Sequence, residues 1–582
     1  MKHILPTLGL CIFIAGAIIL PACSGPHHNP ISVTITSPSS PPTIQAGQTV
    51  NITASVANDS ANKGVTWTLT GAGSLSSQTS TSVTYNAPAS VGSNTTVTVT
   101  ATSVSDNTKS ASINITVTPV SANNNSELNG QYAFLVSGFD DASGEQFAYI
   151  GSFTANGSGG ITTGIEDENL PSGAVAGIAV QGSYTLGNDN RGTLTLANAG
   201  GLAKFAFSAG AIIAGVATKL HIIEFDDTSG TSGRRGSGVA YLQTAGAFNL
   251  AGITGPYAFE FAGQDGSSAG ARVVDIGSMT ANGTGGVSGT LDSNASGTFS
   301  AGTAFTATIA TTSQTATFGR VTFAVTGESG TAPIVYIVSS ARLLLMDTAP
   351  VSSNGIVSGE IVQQTSASFA NSSLNGSMVL YSTGLSSVAG KSFVQAGVLT
   401  FNSTTLTGTI SLDTDDGGTP GTVSTTFTYS VAANGKVSLT PAGGSIPDLF
   451  LIDTDKAFMM GTGAHMNAGM LDPQSAGPFA NSSVSGNYFF GEAEYVAVTA
   501  GGVSSGVAVS TGNGSATATV DESDAGGTLT ASQTQSLTLT LTDATTGRFT
   551  DNMGDILYII SPTKFVSMES AAGDSGVLEF EQ

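Results

Sequence analysis

The sequence predicts an all-β protein: one β-sandwich followed by four tandem antiparallel β-meander barrels of about eight strands each, with tandem sandwiches as the alternative. Three observations lead there. Val, Ile and aromatic residues alternate with Thr, Ser and Asn at a period of two, the mark of half-buried strands. A long segment recurs four times after residue 127, and a fixed period sets architecture. No long stretch outside the N-terminus carries a helical pattern. At 582 residues the chain is long enough for several domains.

The first 22 residues carry one lysine, Lys2, then the apolar run CIFIAGAIIL, then Leu20-Pro21-Ala22-Cys23. A short basic head, an apolar stretch and small residues before a cut describe a secretory signal. The run from Leu8 to Leu20 falls short of the roughly 20 residues that cross a bilayer. Leu-x-Ala-Cys resembles the lipobox of bacterial lipoproteins. That resemblance implies cleavage before Cys23, acylation of its thiol and a place in the bacterial cell envelope. Ser24 in place of an aspartate resembles the pattern sent to the outer membrane. Each buried methylene of such an anchor contributes ~0.8 kcal/mol. Cys11 leaves with the signal, so the mature chain cannot form a disulfide within itself. Residues 23–30 form a tether, in which His27 and His28 are expected to be solvated.

Residues 31–119 hold six or seven short strands, among them ISVTIT, TVNITASV, GVTWTL, SVTYNAP, TVTVTATS and SINITVTP. Such spacing suits a β-sandwich, with Trp67, the chain's one tryptophan, between the sheets. AGQTVNITASV, GVTWTL and YNAP together resemble bacterial immunoglobulin-like (Big-type) domains, which implies a stalk. Residues 120–127 are a polar linker.

The repeats span 128–243, 248–364, 368–474 and 477–582. They open on LNGQYAFLVSG, ITGPYAFEFAG, LNGSMVLYSTG and VSGNYFFGEAE. A glycine-led element follows at Gly151, Gly277, Gly397 and Gly506, and each copy closes on a strand ending in glutamine: Gln243, Gln364, Gln474 and Gln582. Eight meander strands can close so that no edge is left exposed. Asn156-Gly157 and Asn282-Gly283 sit where hairpins need positive φ. Gly-x-Tyr/Phe openings and meander order resemble lipocalin/avidin-type barrels, whose interiors hold packed side chains or one small ligand. Tyr132, Phe134, Tyr257, Phe259, Tyr488 and Phe489 recur at the module starts and are expected to pack the interiors.

Chemistry is sparse. The formal net charge is −23, Arg234-Arg235 is the sole basic pair, and nucleic-acid binding is disfavoured. Gly-x-Ser-x-Gly occurs at Gly266–Gly270 and Gly502–Gly506, but neither has the helix that a nucleophile elbow needs. His221 is expected on a barrel strand and His465 in an exposed loop. Asp413, Asp415 and Asp416 are the calcium candidates, since hard cations take carboxylate oxygens; the EF-hand spacing fails at Gly417 and Ser424. Glu166, Asp167, Glu168 and Asp521, Glu522, Asp524 hold a similar place in their copies. No catalytic residue and no cofactor beyond calcium is assigned. The expected role is a non-catalytic cell-surface lipoprotein that presents tandem modules for adhesion or cell-envelope binding. Its partners are the membrane, through lipid, and a protein, glycan or small-molecule ligand. The alternatives are a small-molecule or glycan carrier and an exported hydrolase.

Overall fold

The computed structural model describes residues 29–582 apart from 89–90, 92, 120–122, 199–200, 230–232, 265–271, 349–355, 387, 389, 443–445, 495–500, 525 and 570–575. Cys23, His27, His28 and the Gly266–Gly270 motif lie outside the described residues. The chain divides into two compact units, one ending at Ala122 and one running from Asn123 to Gln582.

The first unit is two four-stranded sheets over one apolar core. Ser32–Ser37, Thr49–Ala57, Ser82–Asn86 and Ser74–Ser76 make one sheet; Thr43–Gln45, Ser110–Thr118, Thr95–Ser103 and Val65–Thr70 make the other. Period-two alternation turns Val97, Val99, Ile113 and Ile115 into the shared core. Trp67 joins them, and its indole N–H donates to the Thr79 carbonyl at 2.9 Å. One pairing departs from the antiparallel expectation: Thr43–Gln45 runs parallel to Ser110–Thr118. The chain crosses from one sheet to the other after Ser37, so the next strand lands on the far sheet in that direction.

In the second unit the first copy has eight strands: Asn129–Asp140, Gln146–Asn156, Gly160–Leu170, Gly173–Leu186, Arg191–Asn198, Gly201–Ile213, Val216–Glu224 and Arg234–Leu242. Each pairs with the next, and the eighth pairs antiparallel with the first, closing the barrel. Copies two (Thr254–Gln363) and three (Gly376–Pro473) close identically. Glycine in strand two makes room for the core aromatics. A Cβ on Gly151 would lie 2.6 Å from the Phe134 ring, and the same holds for Gly277 under Phe259 at 2.4 Å and Gly506 under Phe490 at 2.6 Å. The recurring aromatics at core-facing positions are therefore packed residues, as expected; Phe489 instead faces out of its barrel, against His221.

The fourth copy corrects the expectation of four closed barrels. It is a nine-stranded sheet whose two edges, Leu529–Thr538 and Thr540–Asp543, are successive parts of one run parted at Leu539. Strand four hands over from strand three to strand five at this point. In the closed barrels two residues pair with both neighbours, for example Ala307 and Thr308; in the fourth copy the two pairings do not overlap. The glutamine landmark also shifts there. The Gln582 amide bonds to Thr563 and its side chain to Ser485, as Gln363, not Gln364, bonds to Ala341 and Thr254.

The copies are not beads on a string. An aspartate in strand three of each copy meets a base at the start of strand five of the next: Asp167 with Arg320, Asp292 with Lys436, Asp413 with Arg548. Asp521 of the last copy then meets Arg191 of the first at 2.9 Å, which closes a ring of four. Gln243, Gln364 and Gln474 each donate their side-chain amide to two carbonyls of the following copy, including Ile337, Leu451 and Ile559 at 2.7 Å. Apolar clusters seal the joints between copies, such as Leu135 and Ile150 against Tyr336 and Leu344.

Candidate ligand site

Two internal spaces stand out: a chamber where the four copies meet, and the interior of the fourth copy.

The chamber has a volume of about 270 Å³ and is lined by residues of all four copies. Strand seven of each copy begins near a base that faces it: Lys219, Arg342, Lys456 and Lys564. Lys219 holds Glu581 at 2.9 Å and Glu579 at 3.4 Å. Lys564 holds Asp472 at 2.9 Å and the Tyr381 hydroxyl at 3.0 Å, and Lys456 holds Asp472 at 2.8 Å. His221 projects out of the first barrel into this space, 2% exposed, and neither ring nitrogen is hydrogen-bonded. Burial, reinforced by Lys219, pushes its pKa down to about 3, so the ring is neutral. The ligand atoms of His221, Glu579 and Glu581 lie within 4.8 Å of one another. Two ammonium groups already occupy those carboxylates, however: Lys219 bonds both, and Lys564 lies 3.8 Å from Glu579 and 3.4 Å from Glu581. A divalent cation there would have to displace them or add positive charge beside two buried ammonium groups. The chamber is an ionic clamp between copies.

That clamp sets a pH dependence. Burial alone would raise Asp472 and Glu579, but Lys564 with Lys456, and Lys564 with Lys219, hold both at about 2. Folded pKa values below the unfolded ones give stability that is lost as pH falls from about 4.5 to about 2. Glu166 acts oppositely. Burial first, then Glu168, raises it to about 8, so ionising it costs stability as pH rises from about 4.5 to about 8. The thermal midpoint is expected to peak near the lower end of that range. In Glu166→Leu the alkaline decline should shrink while the acid decline stays.

The fourth copy's interior comes from small and polar residues where its siblings are large and apolar. Aligned on the strand-two glycine, Phe153, Met279 and Leu399 correspond to Ala508. In strand seven, Ile222, Leu345 and Met459 correspond to Ser567. The first three of each set are buried core residues. The result is a cavity of about 310 Å³ in the fourth copy, a size typical of small-molecule pockets. Tyr488, Phe490, Phe565, Phe580 and Leu578 form its apolar walls, and Ala508 and Ala518 leave the space. Ser504, Glu522, Asp551, Asp555 and Glu569 line it towards the loop end of the barrel. Ser567 is 5% exposed and lines the cavity; its backbone pairs with Leu557 and Leu578, and its hydroxyl makes no hydrogen bond with any described residue.

The residues singled out from sequence fall elsewhere. Asp413 is spent on Arg548 at 2.6 Å and on the Tyr558 hydroxyl at 2.7 Å. Asp415 is buried and accepts the Gly418 amide; Asp416 accepts the Ser386 hydroxyl at 2.6 Å. Among the described residues these three do not bring their oxygens within 4.8 Å of one another. Glu166 takes a core-facing position that Leu291, Leu412 and Val520 hold in the other copies, and Asn198 donates to both Glu166 and Glu168. Ser504 lies within the strand Val503–Thr511, and another strand follows, not a helix. His465 is only part-exposed; its ring stacks on Phe393 at 3.9 Å. The cavity residues Ala508 and Ser567 went unremarked in the sequence, although aligning the four copies exposes both. No protein-family model matches the chain, and no curated protein matches it.

Proposed function

We propose that the protein is a non-catalytic binding protein of the bacterial cell envelope, which holds one small, apolar-bodied molecule inside its fourth, unclosed copy. The observation that carries this is the 310 Å³ interior made by Ala508 and Ser567 at positions that are filled in the other copies. Lipid on Cys23 and the sandwich of residues 31–119, read as an immunoglobulin-like stalk, would tether the ring of barrels to the membrane. The adhesion reading draws on a different feature. The first half of strand four is solvent-exposed in every copy, rich in Ser and Thr in Thr298–Thr311 and Pro420–Val431, and offers surface to a protein or glycan.

N-phenyl-1-naphthylamine, a neutral apolar fluorophore, tests the carrier reading. Its emission should rise on binding the full protein at one site. Ala508→Leu, which restores the bulk of Leu399, should lower affinity by at least about tenfold without lowering the unfolding midpoint, because filling a cavity stabilises. No enhancement, or equal enhancement by the variant, would refute it.

A further inference from the structure

We infer that Lys436 and Asp292 form a self-modification site: the lysine amine and the aspartate carboxyl condense into an amide that links copies two and three, with Asp448 as the acid–base catalyst. The joint between these copies departs from its three siblings at three neighbouring positions. The base at the start of strand five is arginine in the other copies, Arg191, Arg320 and Arg548, and lysine in copy three. Facing that base on strand six stand Ser208, Tyr336 and Tyr558 in the siblings and Phe450 in copy three. Both tyrosines bond to the aspartate of their joint. Two residues earlier on the same face the siblings have Ala206, Ile334 and Ile556, and copy three has Asp448. An ion pair alone calls for none of these changes, and a second carboxyl beside the first weakens it. A guanidinium stays charged, whereas a lysine amine can shed its proton and attack a carbonyl carbon.

The geometry suits that attack. The Asp292 side chain is fully buried; its Oδ2 meets the Lys436 Nζ, and its Oδ1 accepts the Gly302 amide. Asp448 Oδ2 lies 3.7 Å from the same Nζ, and its carboxyl is within hydrogen-bonding reach of Asp292. The Phe450 ring, buried in the apolar joint, has its centroid 5.7 Å from Nζ. Burial, then Asp292 beside it, pushes the Asp448 carboxyl well above the usual carboxylate range, so it holds a proton at neutral pH. One ammonium proton passes to Asp292, which leaves a neutral amine and a neutral acid, the forms that a water-poor site favours. The Nζ lone pair then bonds to the Asp292 Cγ, and the Gly302 N–H supports the charge that grows on Oδ1. Asp448 gives its proton to the departing Oδ2 hydroxyl and recovers one from the nitrogen. The Cγ–Oδ2 bond breaks and one water leaves, with no oxidant or cofactor required. Holding the two groups in contact is equivalent to a concentration of about 10⁵–10⁸ M.

Tryptic mapping of the full, folded protein tests this. Trypsin should release residues 273–320 joined to residues 392–456, uncut at Lys436 and lighter by one water than the two peptides together. Lys436→Arg, which restores the ion pair of the sibling joints, should abolish the joined peptide. Asp448→Asn should slow its formation by about a hundredfold, the size of a general acid–base contribution. Asp448→Ile, the residue of copies two and four, should do the same, and circular dichroism checks that each variant folds. Separate peptides from the folded wild-type protein, with Lys436 cleaved, would overturn the inference. Full yield of the joined peptide in both Asp448 variants would overturn the role given to Asp448.

Discussion

Asp167→Asn is expected to destabilise the ring of barrels by about 3–5 kcal/mol, the cost of leaving one partner of a buried ion pair alone. The Asp167 side chain is 1% exposed and receives two bonds from Arg320, at 2.7 and 2.8 Å. It also accepts the Tyr336 hydroxyl and the Gly177 amide, both at 2.8 Å. The asparagine keeps the shape but removes the charge, and Arg320, itself 11% exposed, has little water to turn to. Urea unfolding measures the loss. Asp167→Asn with Arg320→Met should recover part of it, because removing both charges is close to neutral. A cost under about 1 kcal/mol, the value for surface pairs, would mean that the joint is held by its apolar contacts alone.

Phe153→Ala is expected to cost a further large amount, about 3–5 kcal/mol, and to create a second binding site. Phe153 is fully buried, with ring centroids 5.6 Å from Tyr132 and 5.9 Å from Phe134. The substitution places in the first barrel the residue that Ala508 provides in the fourth. If interior volume governs binding, probe stoichiometry should rise from one to two per chain. An unchanged stoichiometry at the expected stability cost would show that volume alone does not make a site.

Much of this architecture was legible. Alternation located the strands, and the repeated Gly-x-Tyr/Phe openings marked the copies. The ring was not, because Asp413 and Arg548 stand 135 residues apart and meet only when strand three of one copy faces strand five of the next. An acidic triplet has the same sequence signature whether it faces solvent, calcium or an arginine, and Asp413–Asp416 was read without its distant partner. Glu166, one of three consecutive acids, is buried because strand three turns it to the core face, which a run of charge in the sequence does not reveal. The closing glutamine of the fourth copy lies one position off the other three, which strand pairing reveals and residue identity conceals. Ala508 and Ser567 were visible as departures among copies, but small residues draw the eye less than charged ones.

The central claim is that the fourth copy has an interior open to a ligand, at positions that buried side chains fill in the three closed barrels. Crystals soaked in 1-bromooctane test it directly through the anomalous signal of bromine. One peak beside Ala508, Ser567 and Phe565, with none in barrels one to three, is the predicted result. A fourth barrel without bromine, or four barrels equally occupied, would contradict it.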